Sequence, residues 1–427
     1  MRQDTVQITL KRWGLYVRTL IKWALIATAI GMICGVIGTA FHVGVHEVTT
    51  YREANRWVIW LLPLGGLGIV GFYRLTKTDG LGTNDVIEAV HKGKQLPFWL
   101  LPAIFLSTVV THLLGGSAGR EGAALQMGGT IGQVFGRWIR LDENDLRVAT
   151  LAGMAAFFSA LFGTPLAATI FSIMVISVGT LYHVALVPGL LASLVAYGVS
   201  LMLGVEPTRF EISVPEESVL IFAKVFALGV LCALISILFC WMMHFAEHQF
   251  HKIKNPWIRV VTGGAVVIVL TYVFGTDYNG AGMNVVTAAV EQGIARPEAF
   301  FLKLLFTAVT LAAGFKGGEV IPSFFVGATF GCAVAPILGL PAGFGAAIGL
   351  VAVFCGVTNC PVASTFLAIE LFGGQGGSYF ALACFLSYML SGYKGLYSSQ
   401  TILYSKLKAE YINASTNAYH AGQKIEK

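Results

Sequence analysis

The sequence predicts an all-α polytopic membrane protein, and three observations carry that prediction. Of 427 residues, 56% are apolar and 12% charged, half the charge of an average soluble domain. The mean hydropathy is +0.74. Apolar runs recur at 23–46, 57–74, 97–114, 147–178, 182–204, 218–243, 258–274, 299–314, 324–357 and 360–390, and a bilayer span takes about 20 such residues. Glycine, at 50 residues, is in excess; in lipid it permits close helix packing and broken helices that line a polar cavity. This composition excludes a water-soluble globule and a disordered chain, which needs low hydrophobicity.

Val6, Leu10, Trp13, Val17 and Leu20 form one stripe at helical spacing, with basic residues elsewhere. Residues 1–23 therefore read as an amphipathic helix at the cytoplasmic interface. They lack the clean apolar core and small-residue cleavage site of a signal peptide. Two membrane segments follow, 24–205 and 218–400, joined by a linker at 206–217, with a short polar cytoplasmic tail at 401–427. Several apolar runs are too long or too short for one span, as expected of tilted, interrupted or re-entrant helices.

The net charge is +6, but the basic residues form no continuous stripe, which argues against nucleic acid. Lys11, Arg12, Arg18 and Lys22 flank the first apolar run, and Lys394, Lys406, Lys408, Lys424 and Lys427 follow the last. The positive-inside rule places both termini in the cytoplasm of a plasma (inner) membrane protein surrounded by lipid. Seven cysteines lie in apolar stretches, an odd count without ligand-like spacing, so neither a disulfide framework nor a zinc site is expected.

An internal repeat organises the chain. Gly80-Leu-Gly-Thr-Asn-Asp-Val-Ile-Glu-Ala-Val-His-Lys-Gly93 and Gly280-Ala-Gly-Met-Asn-Val-Val-Thr-Ala-Ala-Val-Glu-Gln-Gly293 share seven of fourteen positions at an offset of 200. A second block pairs Gly116, Gly119, Glu121 and Gly129 with Gly314, Gly317, Glu319 and Gly327 at an offset of 198. A third pairs Pro165–Thr169 with Pro361–Thr365 at 196. Ordered blocks with a slowly drifting offset mean two structural halves, the usual plan of transporters with a midplane substrate site. The similarity alone leaves open whether the halves are parallel or inverted.

Most acidic residues lie in hydrophilic connections; Glu121, Glu319 and Glu370 sit between glycine-rich or apolar flanks. A carboxylate at membrane depth is costly and so a functional candidate, the alternative being a helix cap. Glu121 lies in Gly115-Gly-Ser-Ala-Gly-Arg-Glu-Gly-Ala-Ala-Leu-Gln-Met-Gly-Gly129. Glycines before a helix expose N–H groups, and the helix N-terminus adds partial positive charge, which makes an anion site. A carboxylate at its mouth occupies the site when ionised and vacates it when protonated, coupling an anion to a proton.

Gly119-Arg-Glu-Gly122 followed by Gln126 resembles the gating-glutamate motif of the CLC family of chloride channels and anion/proton antiporters. Gly80-Leu-Gly-Thr, Gly317-Gly-Glu-Val-Ile-Pro322 and Gly395-Leu-Tyr-Ser398 resemble its other anion-site segments in order. The resemblance covers about residues 24–400 and implies a CLC-like fold of two inverted repeats with broken, tilted and re-entrant helices. It also implies a homodimer with one pathway per protomer. By that resemblance Glu121 is the external gate, Leu81 replaces the pore serine, and Tyr397 stands at the inner mouth. Gly80, Gly82, Gly122, Val320 and Ile321 complete the implied anion site.

Asn84, Ala123 and Val320 replace residues usual in chloride-type members, and Val175 stands where many exchangers carry an inner proton-handling glutamate. The apolar Leu81 and Val175 are similar to the fluoride-exporting branch, as are Gly314-Phe-Lys-Gly-Gly-Glu319 and the pair Phe324 and Phe325; Ile321, where a threonine is often found, and Asn84, where a phenylalanine can line the path, depart from that branch. The resemblance implies fluoride/proton exchange, with Glu319 as a second acid in place of the missing relay and aromatic edges facing the anion. A chloride channel or chloride/proton antiporter of the same fold is the alternative.

His244-Phe-Ala-Glu-His248 has the H-x-x-E-H order of inverted zinc proteases, but it ends an apolar run just before Lys252 and Lys254, where an amphipathic interfacial turn is expected. Neither a metal, a cofactor nor an enzymatic activity is expected. Arg120 and Lys316 flank the implied anion route, whereas Lys224 and Lys303 are expected to snorkel to the interface.

Overall fold

Proline and positive-φ residues cut the apolar runs into helices. The run 147–178 ends one helix at Gly163 (φ +68°) and starts the next at Pro165. The run through 357 stops likewise at Asn359 (φ +60°) and restarts at Pro361. Each proline occupies a first-turn position, where a missing N–H costs nothing. A computed structural model describes residues 2–408 and 410–416, with side chains from residue 13 onward except Ser415.

The first half contains α1 (Arg2–Ala54), α2 (Leu62–Leu75), α3 (Thr83–Lys92), α4 (Leu100–Leu113), α5 (Glu121–Trp138), α6 (Glu143–Phe162), α7 (Pro165–Met174) and α8 (Leu186–Met202). The second contains α9 (Val219–His251), α10 (Pro256–Phe274), α11 (Met283–Thr287), α12 (Ala299–Ala313), α13 (Val320–Val334), α14 (Ala342–Thr358), α15 (Pro361–Phe372) and α16 (Gly377–Leu390). Packing repeats with the order: α5 on α6 as α13 on α14, α1 on α8 as α9 on α16, and α2 on α4 as α10 on α12. Among the described residues, seven helical segments are long and apolar enough to cross a membrane, and six shorter apolar helices accompany them.

The excess glycine is spent where helices touch backbone to backbone. A methyl group on Gly128 would meet Gly153 O at 2.2 Å, and one on Gly327 would meet Gly349 O at the same distance. Gly31 and Gly35 let α1 pack closely on α8: methyls there would meet Ala192 O and Val199 Cβ, both at 2.7 Å.

The two halves are inverted about a local two-fold axis. Gly119 N donates to Gly318 O at 2.7 Å and Gly318 N to Gly119 O at 2.8 Å, an isolated antiparallel bridge. Beside it, Ser117 N donates to Thr310 Oγ1 at 3.1 Å and Lys316 N to Thr111 Oγ1 at 3.3 Å. These contacts are related by an offset of 199, one residue from the 198 of the sequence repeat, so that Ser117 corresponds to Lys316 and Thr111 to Thr310.

Two elements differ from the sequence-based expectation. The helix α1 runs unbroken through residue 23, and Trp13, Tyr16, Val17 and Leu20 are exposed on it; Val6 and Leu10 lie outside the residues with described side chains. The chain after Tyr397 folds back rather than trailing away: Thr401–Tyr404 pairs parallel with Ser177–Val178 and antiparallel with Tyr411–Ser415. Lys406 anchors this turn, its Nζ donating to Asn359 Oδ1 at 2.5 Å and Tyr388 O at 2.8 Å.

Candidate functional site

Four chain segments meet near the two-fold bridge. Gln126 Nε2 of α5 donates to Thr83 Oγ1 at the start of α3, at 3.0 Å. From α3, Asn84 Oδ1 accepts from Ser399 N at 3.1 Å, which joins it to the 395–398 segment. The Gly119–Gly318 bridge joins the starts of α5 and α13. Helix N-termini thus converge from both halves, the arrangement that favours an anion.

Glu121 is fully buried at the first position of α5. Its carboxylate folds back over the helix start: Oε2 accepts from Arg120 N at 2.9 Å, and Oε1 lies 3.4 Å from Arg120 Nε. Gly119 leaves room for it, since a methyl there would meet Oε2 at 2.7 Å. Glu319 stands at the N-cap position of α13 without a side-chain cap hydrogen bond and reaches across to the other half, so that a methyl on Gly122 would sit 3.3 Å from its Oε2. That oxygen is buried without a hydrogen-bond partner among the described residues.

Tyr397 is 2% exposed, and its hydroxyl also lacks a hydrogen-bond partner among the described residues. The carboxyls of Glu319 and Glu121 both act electrostatically on it, so the three groups that carry the implied route share one region. Val320, Ile321 and Gly122 are buried in the same place, Leu81 and Gly82 are half-buried, and Gly80 is exposed on the loop before α3.

The two phenylalanines are buried in ring packing. Phe324 meets Phe162 and Phe354 edge-on, at centroid distances of 5.9 and 5.1 Å. Phe325 covers Gly282, where a methyl would lie 2.8 Å from its ring, and stands 5.2 Å from Lys303 Nζ.

Lys303 does not snorkel. It is fully buried and donates to Gly280 O at 2.6 Å and Tyr278 O at 3.1 Å. Gly280 O also accepts from Ala118 N at 3.2 Å, so the lysine braces the loop that carries Glu121. Glu370 is a cap: its carboxylate accepts from Leu166 N and Ala167 N at 3.1 and 2.8 Å, at the start of α7. The H-x-x-E-H segment faces inward at one ring only, His244 Nε2 lying 3.0 Å from Gly395 O, where it holds the segment before Tyr397. Among the described residues no three His, Cys, Asp or Glu converge as metal ligands.

A cavity of about 1020 Å³ opens between α1, α4, α10 and the Gly282–Asn284 segment. Arg120 and His42 line it, and Arg120 Nη1 donates to His42 Nδ1 at 3.1 Å. Sequence reading of the acids alone passed over His42, although a titratable side chain inside the apolar run 23–46 is itself a functional signal.

Inverted halves of broken helices whose N-termini meet around two buried carboxylates define an anion-transporting, multi-pass integral membrane protein. The chain matches the voltage gated chloride channel family over residues 65–392 and belongs to it. It is 36% identical over 397 residues to the chloride/fluoride channel protein of Pseudomonas syringae pv. tomato, covering 90% of this chain and 87% of that one. It is also similar to the crystal structure of a CLC-type fluoride/proton antiporter, with a TM-score of 0.87, 31% identity, and coverage of 90% of this chain and 98% of that one. A slow cyanobacterial Cl−/H+ antiporter shares the fold at a TM-score of 0.75 and 19% identity, covering 86% of this chain and 94% of that one.

Proposed function

We propose that this protein exchanges fluoride for protons and so exports fluoride, through an anion site built from helix starts and gated by Glu121. The observation that carries the reading is the Glu121 carboxylate lying on its own helix N-terminus, fully buried and accepting from Arg120 N. In that position it is a tethered anion in the place a free anion would take. Protonation removes its charge and its claim on the site; an entering fluoride and a departing proton are then coupled by competition.

Glu319 supplies the second proton step, from the other half and within reach of Gly122. Val175, at the end of α7, is a buried apolar side chain with no proton to give. The anion meets Gly80, Leu81, Gly82, Gly122, Val320, Ile321, Phe324, Phe325 and Tyr397, with the Tyr397 hydroxyl, unpartnered among the described residues, as its donor at the inner mouth. Fluoride is small and strongly hydrated, so a site that replaces its shell needs close donors and positive ring edges.

The membrane repeats are assigned to 24–205 and 218–400, with 1–23, 206–217 and 401–427 outside them. Both termini face the cytoplasm of the plasma (inner) membrane, the His42 cavity faces outward, and two protomers associate, each with its own pathway.

The test is anion efflux from liposomes holding the purified protein, comparing fluoride with chloride under an imposed pH gradient. Fluoride efflux matched by proton uptake is the expected result. Chloride flux that ignores the pH gradient would replace this reading with a passive chloride channel.

A further inference from the structure

The contact between Arg120 and His42 fixes a protonation state. A guanidinium has donors and no acceptor, so at 3.1 Å from Arg120 Nη1 the His42 Nδ1 must be the acceptor. That contact is satisfied by the neutral ring with its proton on Nε2. A second proton would go on Nδ1 and set one cation against another at hydrogen-bond distance.

Arg120 meanwhile is the residue that touches the gate, through its Nε to Glu121 Oε1 and its backbone N to Oε2. His42, Arg120 and Glu121 therefore form one chain from the cavity wall to the gate. The titratable groups acting on His42 are Arg120 from α5 and His46 from α1 itself. From α4, His112 acts on Arg120. Among the described residues no carboxylate lines up on His42 to favour its charged form, so acidification has one effect on it: loss of the Arg120 contact.

We propose that His42 is a positioning residue for the Glu121 gate, its neutral ring holding Arg120 against the carboxylate and its protonation releasing Arg120. Acid on the cavity side then loosens the gate by a route separate from protonation of Glu121 itself. The assignment rests on the transport reading above.

The experiment uses the full chain in liposomes, with fluoride efflux and proton uptake followed as external pH is stepped from about 8 to about 4, reaching below the range of a free imidazole because the Arg120 cation beside Nδ1 opposes a second proton. His42→Asn keeps an acceptor where Nδ1 stood but does not titrate, whereas His42→Leu removes the acceptor. Asn is expected to transport with its acid-driven rise in rate cut about threefold or more relative to wild type, since one titrating group is gone. Leu is expected to lower coupled transport about tenfold near pH 8, the equivalent of one charge-assisted hydrogen bond. An Asn profile that superimposes on wild type overturns the proposal whether or not the Leu variant folds. Absence of proton-coupled flux in wild type would instead overturn the transport reading, and this assignment with it.

Discussion

Gly119 and Gly318 exchange both of their backbone hydrogen bonds, at 2.7 and 2.8 Å, and lie one in each half of the chain. The pair is where the local two-fold axis passes, and the carboxylates of Glu121 and Glu319 begin within three residues on either side. Neither glycine tolerates a side chain. A methyl on Gly318 would lie 2.3 Å from Gly122 N and 2.9 Å from Gly122 Cα, both backbone atoms that cannot turn aside.

Gly318→Ala should therefore destabilise the protein by about 1–3 kcal/mol, the cost of overpacking a rigid contact. Gly68→Ala is the control, since nothing lies within 4 Å of a methyl there, and it should stay within about 1 kcal/mol of wild type. Thermal unfolding in detergent reads both. Equal midpoints for the two variants would contradict the close approach at the bridge.

Glu121→Gln should uncouple the exchanger. Glutamine has the shape of the protonated carboxyl but neither its charge nor its exchangeable acid proton, so it leaves the anion site open at every pH. Fluoride should flow down its gradient while proton uptake falls to the level of empty vesicles. Glu319→Gln, which changes the second acid, should slow coupled exchange and leave less passive flow than Glu121→Gln. Proton uptake that survives in both variants would remove the carboxylates from the mechanism.

The fold was legible at the helix ends because those are the places where chemistry restricts residue choice. Glycine at 80, 119, 280 and 317 and proline at 165 and 361 mark loops and first turns that recur in both halves, and each marks the start of a paired helix. The Glu121 site was legible for the same reason. Side-chain partners distant in sequence were not. Nothing around Lys303 announces that its acceptors are the carbonyls of Tyr278 and Gly280, and backbone carbonyls carry no residue signature. Glu370 likewise caps a helix some two hundred residues away, at Leu166 and Ala167. The pairing of the tail with Ser177–Val178 depends on a two-residue strand too short to read from alternation.

Lys303→Met tests the brace beneath the gate loop. Methionine fills the space but leaves the carbonyls of Tyr278 and Gly280 without the ammonium, and Gly280 O keeps only Ala118 N. A loss of about 1–3 kcal/mol is expected from the unsatisfied buried carbonyl, together with slower exchange as the loop carrying Glu121 loosens. An unchanged unfolding midpoint and unchanged exchange would show that the lysine braces nothing.

Tyr397→Phe separates a structural tyrosine from one that serves the anion. The hydroxyl is buried and donates to no protein group among the described residues, so the folded state does not depend on it. Removing a buried, unpaired polar group should leave stability unchanged or raise it by up to about 1 kcal/mol. An anion at the inner mouth loses its donor, and a hydrogen bond to a charged partner is worth about 1.5–3 kcal/mol. Fluoride affinity, read by calorimetric titration of the purified protein, should accordingly fall roughly tenfold or more. Lower stability with unchanged affinity would be the reverse pattern, and it would return Tyr397 to the core.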